Sequence, residues 1–398
     1  MRNYPVVTVT EKAEKSAVSG HPWIYSDEII SVDGKYENGD IVDVKSKKGK
    51  YLGTGFINDN SKIRVRIISK NANDRFDDAF WARRVKYALD YRKTVMKGDD
   101  FKCCRLIFGE ADTFPGLTVD RFDNVLVSEV LCLGIEQRKS VIYDALLSGL
   151  DEIDAIYERN DSEIRSLEGM DKHVGFYYGE GDGIVTIKEN GILYNVDYIN
   201  GQKTGFFLDQ KYNREAVGKI AEGKRVLDCF THTGAFALNA AKGGAERVVA
   251  LDISEKAIED AKKNAELNGL SNKIDFVCAD VFDYLTAAYN ENRRDFDFII
   301  LDPPAFTKSR ATIKDAVRGY KEINLKAMRL LPRGGYLATC SCSHFMRDSL
   351  FCQMLHSAAE DAGVSLRQIE ARQQSPDHPI LWNVPETDYL KFYVFQIV

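Results

Sequence analysis

Val226-Leu-Asp-Cys-Phe-Thr-His-Thr-Gly-Ala-Phe236 is the stretch on which the fold turns. Its first residues read as the end of a short apolar strand closed by an acid, Asp228. A tight turn follows, with Gly234 where the backbone must come close to a ligand. Ala235, Phe236, Leu238, Ala240 and Ala241 then read as a helix that stops at Gly243-Gly244. The same rhythm repeats outward. Strands are expected over 225–228, 247–252, 273–277, 297–301 and 336–339, with helical segments between them. This alternation implies an α/β class, with a doubly wound, mostly parallel sheet covered on both faces.

Open parallel sheets bind small molecules beyond the carboxyl ends of their strands. Asp228 closes the first strand, Asp252 closes the second 24 residues later, and Asp280 follows the third. Asp252 is placed to accept from both hydroxyls of a ribose, and Asp280 from an adenine amino group. The turn holds one glycine, not the three of G-x-G-x-x-G, so packing around a pyrophosphate is not indicated. A cationic nucleoside without phosphate suits these acids better, and S-adenosyl-L-methionine (SAM) is the expected cofactor. Its expected neighbours are Asp228, Phe230, Thr231, Thr233, Gly234, Asp252, Ile253, Ser254, Asp280, Val281 and Asp302. One acid after a strand is more often a turn or helix cap; the ordered set of three carries the reading.

The fourth strand runs into Asp302-Pro-Pro-Ala-Phe306 and the fifth into Thr339-Cys-Ser-Cys-Ser343. Two prolines remove backbone donors and stiffen the first loop. Asp302, Pro303, Pro304 and Phe306 are expected to face a planar base. Loops of this type also serve methylation of base nitrogens, so the loop places a base without naming the atom. The cysteines discriminate. Carbon 5 of a pyrimidine is a poor nucleophile, and a thiolate adding to carbon 6 makes it enolate-like. Cys340 is the expected nucleophile and Asp302 its catalytic partner; Cys342 is the alternative. A strand-end cysteine is also often a small buried hydrophobe.

A chain of 398 residues, 44% hydrophobic, suggests two or three domains. A net charge of -6 argues against wholesale attraction to nucleic acid but allows a local basic patch. Residues 1–70 hold 12 Lys or Arg against 9 Asp or Glu, a balance of +3 that leaves -9 for the rest. The eight cysteines include no paired C-x-x-C, so no metal site or disulfide framework is expected. No apolar run approaches the roughly 18–20 residues of a membrane span, and no leader is recognisable. A cytoplasmic protein with no membrane association is expected.

Residues 1–72 read as short strands, including 40–44, 51–57 and 63–68, and suggest a small β-barrel. Residues 73–198 read as a helix over 76–96 followed by an α+β unit. That helix carries Arg83, Arg84, Lys86 and Arg92, which suggest a basic face. The unit has strands over 125–130 and 155–158 and a helix over 136–149. Residues 199–398 hold the Rossmann-like domain.

Asp302-Pro-Pro-Ala-Phe306 with Thr339-Cys-Ser341 is similar to the loops of RNA cytosine-5 methyltransferases. The chain resembles the RlmI-like bacterial 23S rRNA (cytosine-5) methyltransferases over nearly its whole length. Gly20-His-Pro-Trp-Ile24, Gly53-Thr-Gly-Phe56 and Ser61-Lys-Ile-Arg64 resemble their PUA domain, an RNA-binding barrel. Arg105-Leu106, Pro115-Gly-Leu-Thr-Val-Asp-Arg121 and Ile156-Tyr-Glu-Arg159 resemble their central domain. Gly201-Gln-Lys-Thr-Gly-Phe-Phe-Leu-Asp-Gln210 is the longest matching string, with His378-Pro379 and Tyr389-Leu-Lys391 nearer the end.

The resemblance implies 5-methylcytosine formation in 23S rRNA, with that RNA or a large-subunit assembly intermediate as partner; a homodimer is left open. It also implies that Lys203 borders the RNA pocket. Lys45, Lys47, Lys48, Lys50, Arg64 and Arg66 are candidates for phosphates and Trp23 for stacking on a base. Many RNA cytosine-5 methyltransferases carry a second cysteine in the Pro-Pro loop, associated with product release, where this chain has Ala305. The alternatives are an enzyme acting on a base nitrogen and a non-catalytic SAM-binding ribosome-assembly protein.

Overall fold

Seven strands build the sheet that carries the opening stretch. In spatial order they are Ile274–Cys278, Arg247–Asp252, Arg225–Cys229, Phe298–Leu301, Tyr336–Ser341, Lys391–Ile397 and Leu366–Arg372. The structure is a computed structural model that describes residues 3–307 and 309–398. These fall into two units. The first comprises the residues up to Ile187 with Val196–Leu208 and Pro376–Thr387; the second comprises Lys188–Asn195, Asp209–Ser375 and Asp388–Val398.

The sheet belongs to the second unit. Its first five strands are parallel, and Lys391–Ile397 runs antiparallel to both of its neighbours. Val226, Leu227, Val248, Ala250, Ile299, Ile300 and Leu301 are fully buried. Such runs fit a sheet covered on both faces, and each buried valine, leucine or isoleucine side chain contributes about 1.5–3 kcal/mol. Strand order reverses at Arg225–Cys229, which opens a crevice between its carboxyl end and that of Phe298–Leu301. The two C-terminal strands had no counterpart in the sequence reading.

In the first unit a six-stranded sheet runs Trp23–Ile24, Val65–Ser69, Tyr51–Ile57, Ile41–Ser46, Val6–Val9 and Ile29–Asp33. Its edge strands are consecutive in the chain, joined through Ser26–Glu28, so the sheet is brought round on itself as in a small barrel. Val7, Val9, Val42, Val44 and Val65 fill its core beneath helix Glu11–Ser19. Thr10 caps that helix by accepting from the Ala13 amide, and Gly20, with φ +106°, ends it.

A second sheet of this unit runs His173–Tyr178, Ala155–Asn160, Val125–Val130, Leu117–Phe122 and Cys103–Phe108. Helix Asp78–Val95 starts at an Asp77 cap; of its expected basic face Arg83 and Lys86 are exposed, but Arg92 is not part of it. Arg92 is fully buried, bidentate to Asp112 at 2.5 and 2.8 Å and donating to the carbonyls of Arg105 and Asp377. Lys86 pairs with Asp90, and Arg84 donates to Thr113 and the Ile68 carbonyl. A buried guanidinium needs such a set of acceptors, and spacing alone did not reveal them. No helix of the described residues is long and apolar enough to cross a membrane.

Candidate active site

Asp228 lies inside the sheet, opposite Ile300 of one neighbour and Ala250 of the other. Its Oδ2 accepts from the Thr231 hydroxyl at 2.5 Å and the Ala237 amide at 2.9 Å. Its Oδ1 is buried and has no partner among the described residues. Burial raises the Asp228 carboxyl to about pKa 7, against the hydrogen bonds from Thr231 and Ala237, and the charges of Asp302 and Asp252 push the same way as burial.

The turn after Asp228 needs unusual backbone. Phe230, His232 and Gly234 have φ of +64°, +50° and +82°. A Cβ on Gly234 would lie 3.0 Å from the Ala261 methyl, so glycine serves both conformation and fit. Asn264 holds the turn by donating to the Thr233 carbonyl at 3.1 Å, and the buried Thr233 hydroxyl has no partner among the described residues.

At the next strand end, Asp252 accepts from the amides of His232 and Ser254 at 2.9 and 3.0 Å. Ser254 caps helix Glu255–Leu267. Ile253 is 67% exposed, a large apolar side chain free to cover a planar ring. Asp280 caps helix Val281–Asn290 through Oδ1, which accepts from Phe282 and Asp283. The Val281 side chain, expected at the cofactor, is instead in the core at 2% exposure.

Leu301 and Thr339 are register partners, so Asp302 and Cys340 come side by side on adjacent parallel strands. The Cys340 thiol lies near enough to the carboxyl of Asp302 and to the Gln210 side chain for each to act on its titration. Gln210 Nε2 also donates to Asp302 Oδ1 at 2.9 Å. Asn213 in turn donates to Gln210 Oε1 at 2.7 Å, which fixes the amide. Burial and the negative charge of Asp209 raise Asp302 to about pKa 7, while Arg214, the nearby Cys340 thiol and the Gln210 hydrogen bond pull it down. Burial, reinforced by Asp302, pushes the Cys340 thiol well up.

Cys342 is half-buried and lies just past the end of strand Tyr336–Ser341. Beyond it the loop is held by buried Lys391, whose Nζ donates to the carbonyls of Ser343 and Tyr389 at 2.8 Å each. Burial lowers that lysine to about pKa 8. Pro303 is buried and Pro304 exposed. Phe306 is not an open platform: it packs 4.6 Å from Tyr320, with Phe282 and Phe230 on other sides. Gln210 and Lys391 were not singled out as functional by sequence reasoning. The signal for both was their place in strings already noted, Gly201–Gln210 and Tyr389–Lys391.

The sequence profile of a family described as S-adenosylmethionine-dependent methyltransferase matches residues 165–395, and that of a PUA-like domain matches residues 7–70. The chain is 43% identical over 381 residues to Ribosomal RNA large subunit methyltransferase I of Aeromonas hydrophila, covering 95% of this chain and 96% of that one. The enzyme of the same name from Pseudoalteromonas translucida is 41% identical over 386 residues, with 96% and 97% covered. The chain belongs to this family of SAM-dependent methyltransferases. Among solved structures, a chain from Streptococcus mutans assigned as a SAM-dependent methyltransferase superposes with a TM-score of 0.83 at 24% identity, covering 98% of this chain and 99% of that one, and shares the fold.

The residues of this methyltransferase fit SAM. The unpartnered Asp228 Oδ1 offers an acceptor to an ammonium group, and an approaching cation draws the carboxyl back to its charged form. Asp252 keeps lone pairs for a ribose, and Ile253 offers an apolar cover. Bound there, SAM supplies an electrophilic methyl group.

The residues expected to meet RNA in the first unit fall into two groups. Lys47 and Lys48 are exposed in the turn after Ile41–Ser46, and among the described residues neither has an ion-pair partner. Lys203 is exposed, with its Nζ 4.7 Å over the Phe207 ring. Arg64 pairs with Asp59. Arg66, expected at a phosphate, is instead buried between Glu110 and Glu168, at 3.2 and 3.0 Å, and is paired with those two acids. Trp23 is half-buried and donates from Nε1 to Glu110 at 2.9 Å, which ties its edge to the same network.

Proposed function

We propose that this chain methylates carbon 5 of a cytosine in large-subunit ribosomal RNA through a covalent adduct of Cys340. The observation that carries this reading is that Asp302 and Cys340 come together at the ends of adjacent, register-paired parallel strands, with Cys340 two strands from Asp228. A group with a pKa of about 7 exchanges protons readily at neutral pH. Asp302 takes the thiol proton as sulfur adds to carbon 6, and returns it to N3 of the ring as electron density moves there. Carbon 5 then takes the methyl group, water carries its proton to solvent as the carbon–sulfur bond breaks, and the N3 proton returns through Asp302 to the released Cys340 thiolate.

The relatives' name supplies ribosomal RNA as the substrate class, and exposed Lys47 and Lys48 give the PUA-like segment a turn suited to phosphates. Residues 1–72 act as the RNA-binding barrel, 73–198 as the central domain and 199–398 as the catalytic domain, in a cytoplasmic enzyme.

The test is release of tritium from ribosomal RNA labelled at carbon 5 of cytosine in the presence of SAM. Cys340→Ala abolishes release and Cys342→Ala keeps it. Methyl transfer without tritium release eliminates the adduct mechanism and points to a base nitrogen. SAM binding without transfer to any ribosomal RNA fragment points to a binding protein.

A further inference from the structure

The second sheet of the first unit carries a polar pocket of about 290 Å³, lined in part by Arg105, Thr118, Glu129, Arg159, Asp161 and Lys203. Pockets near this size hold small organic groups such as a base. One wall is already neutralised: Arg105 is bidentate to fully buried Asp120 at 2.7 and 2.8 Å, and Thr204 donates to the same carboxylate at 2.6 Å.

Glu129 is different. It stands opposite Thr118 in the strand ladder, half-buried. Among the described residues its carboxylate has no hydrogen-bond or ion-pair partner. Burial pushes its pKa up, against the pull of Arg105. A half-buried carboxylate without donors is costly unless a ligand supplies them. Cations share the pocket. Arg159 donates to the carbonyls of Tyr198 and Gly201, its Nη2 is 3.6 Å from Asp161, and its buried Nε has no partner among the described residues. Lys203 lies beside it as an exposed ammonium.

The matching ligand offers two parallel donors to one carboxylate and an anionic group to Arg159 and Lys203. Among RNA bases only guanine has adjacent donors, N1–H and the N2 amino group, on its Watson–Crick edge. Cytosine and adenine set an acceptor beside their amino group, which would face a carboxylate lone pair. The edge is free only in an unpaired nucleotide.

We propose that this pocket binds an unpaired guanine of the RNA substrate, with Glu129 accepting from N1–H and N2 and with Lys203 and Arg159 meeting its phosphate. This rests on RNA being the substrate, but not on which atom is methylated.

The test uses the full chain and labelled single-stranded RNA pentamers, UUGUU, UUIUU and UUAUU, followed by fluorescence anisotropy. Inosine lacks the N2 amino group. The unmodified protein is expected to bind the guanosine pentamer about tenfold tighter than the inosine or adenosine ones. Glu129→Gln, checked for an unchanged melting temperature, is expected to bind all three alike. Lys203→Ala is expected to weaken all three while keeping their order. No preference for guanosine in the unmodified protein, or its persistence in Glu129→Gln, overturns the proposal. Displacement of the pentamer by GTP or GDP at concentrations below the pentamer's own Kd overturns the assignment to RNA. Tritium release is measured separately, so guanosine selectivity without methyl transfer refutes the proposed function and leaves this site standing.

Discussion

Gln210 Nε2 lies 2.9 Å from Asp302 Oδ1, and the same side chain is near enough to the Cys340 thiol to lower its pKa. One amide thus orients an acid that sits 38 residues from the thiol in sequence and beside it at adjacent strand ends. Gln210→Ala removes a hydrogen bond to a charged group, which is typically about 1.5–3 kcal/mol. If that bond tightens as the thiol proton moves, kcat for tritium release falls about tenfold to a hundredfold. SAM affinity, measured by calorimetry, stays within a factor of about three. An equal loss in SAM binding would mean that Gln210 shapes the pocket and not the reacting pair.

Asp228 couples stability to pH. Its carboxyl is near pKa 7 in the fold, against 3.8 for the ordinary group. The fold therefore favours the protonated form. This stability is present in full below about pH 3.8 and is lost as pH rises through 7, at about 1.4 kcal/mol per unit. Asp228→Asn cannot ionise. Thermal melts without ligand should show the variant's advantage over the unmodified protein growing from pH 5 to pH 8. The same variant should bind SAM at least about tenfold more weakly, since the charge that meets the ammonium is gone. A variant melting in parallel with the unmodified protein across that range would refute the linkage.

Gly234→Ala should fail for two separable reasons. The φ of +82° strains any side chain, and the new methyl meets Ala261 at 3.0 Å. A loss of about 1–3 kcal/mol is expected in urea unfolding. Adding Ala261→Gly relieves the contact and leaves the strain, so the double variant should recover part of the loss. Full recovery would show that the backbone tolerates alanine at this turn.

Arg92 tests the first unit independently of catalysis. Arg92→Met leaves Asp112 without its bidentate partner in a buried place. Removing one member of a buried pair typically costs about 3–5 kcal/mol. Urea unfolding should show that loss, and Arg92→Lys should lie between, since an ammonium keeps the charge but not the fork.

The parts legible in the sequence are those a single segment carries by itself. The apolar runs at 225–228, 247–252 and 297–301 announce buried strands because the requirement to be covered on both faces is written along each strand. The Gly234 turn and the Ser254 cap are equally local, made by residues within a few positions of one another. Register decided the rest. That Asp302 comes beside Cys340, that Gln210 bonds to Asp302 and that Lys391 anchors the loop beyond them follow from how separate segments align, and periodicity along one segment does not encode that alignment. Arg66 and Arg92 make the same point from the other side. Composition reads each as a surface cation, yet the first is buried by Glu168, 102 residues away, and the second by Asp112, 20 residues away. A charge can leave water only when distant partners arrive together, so its place is settled by the folded chain and not by its neighbours in sequence.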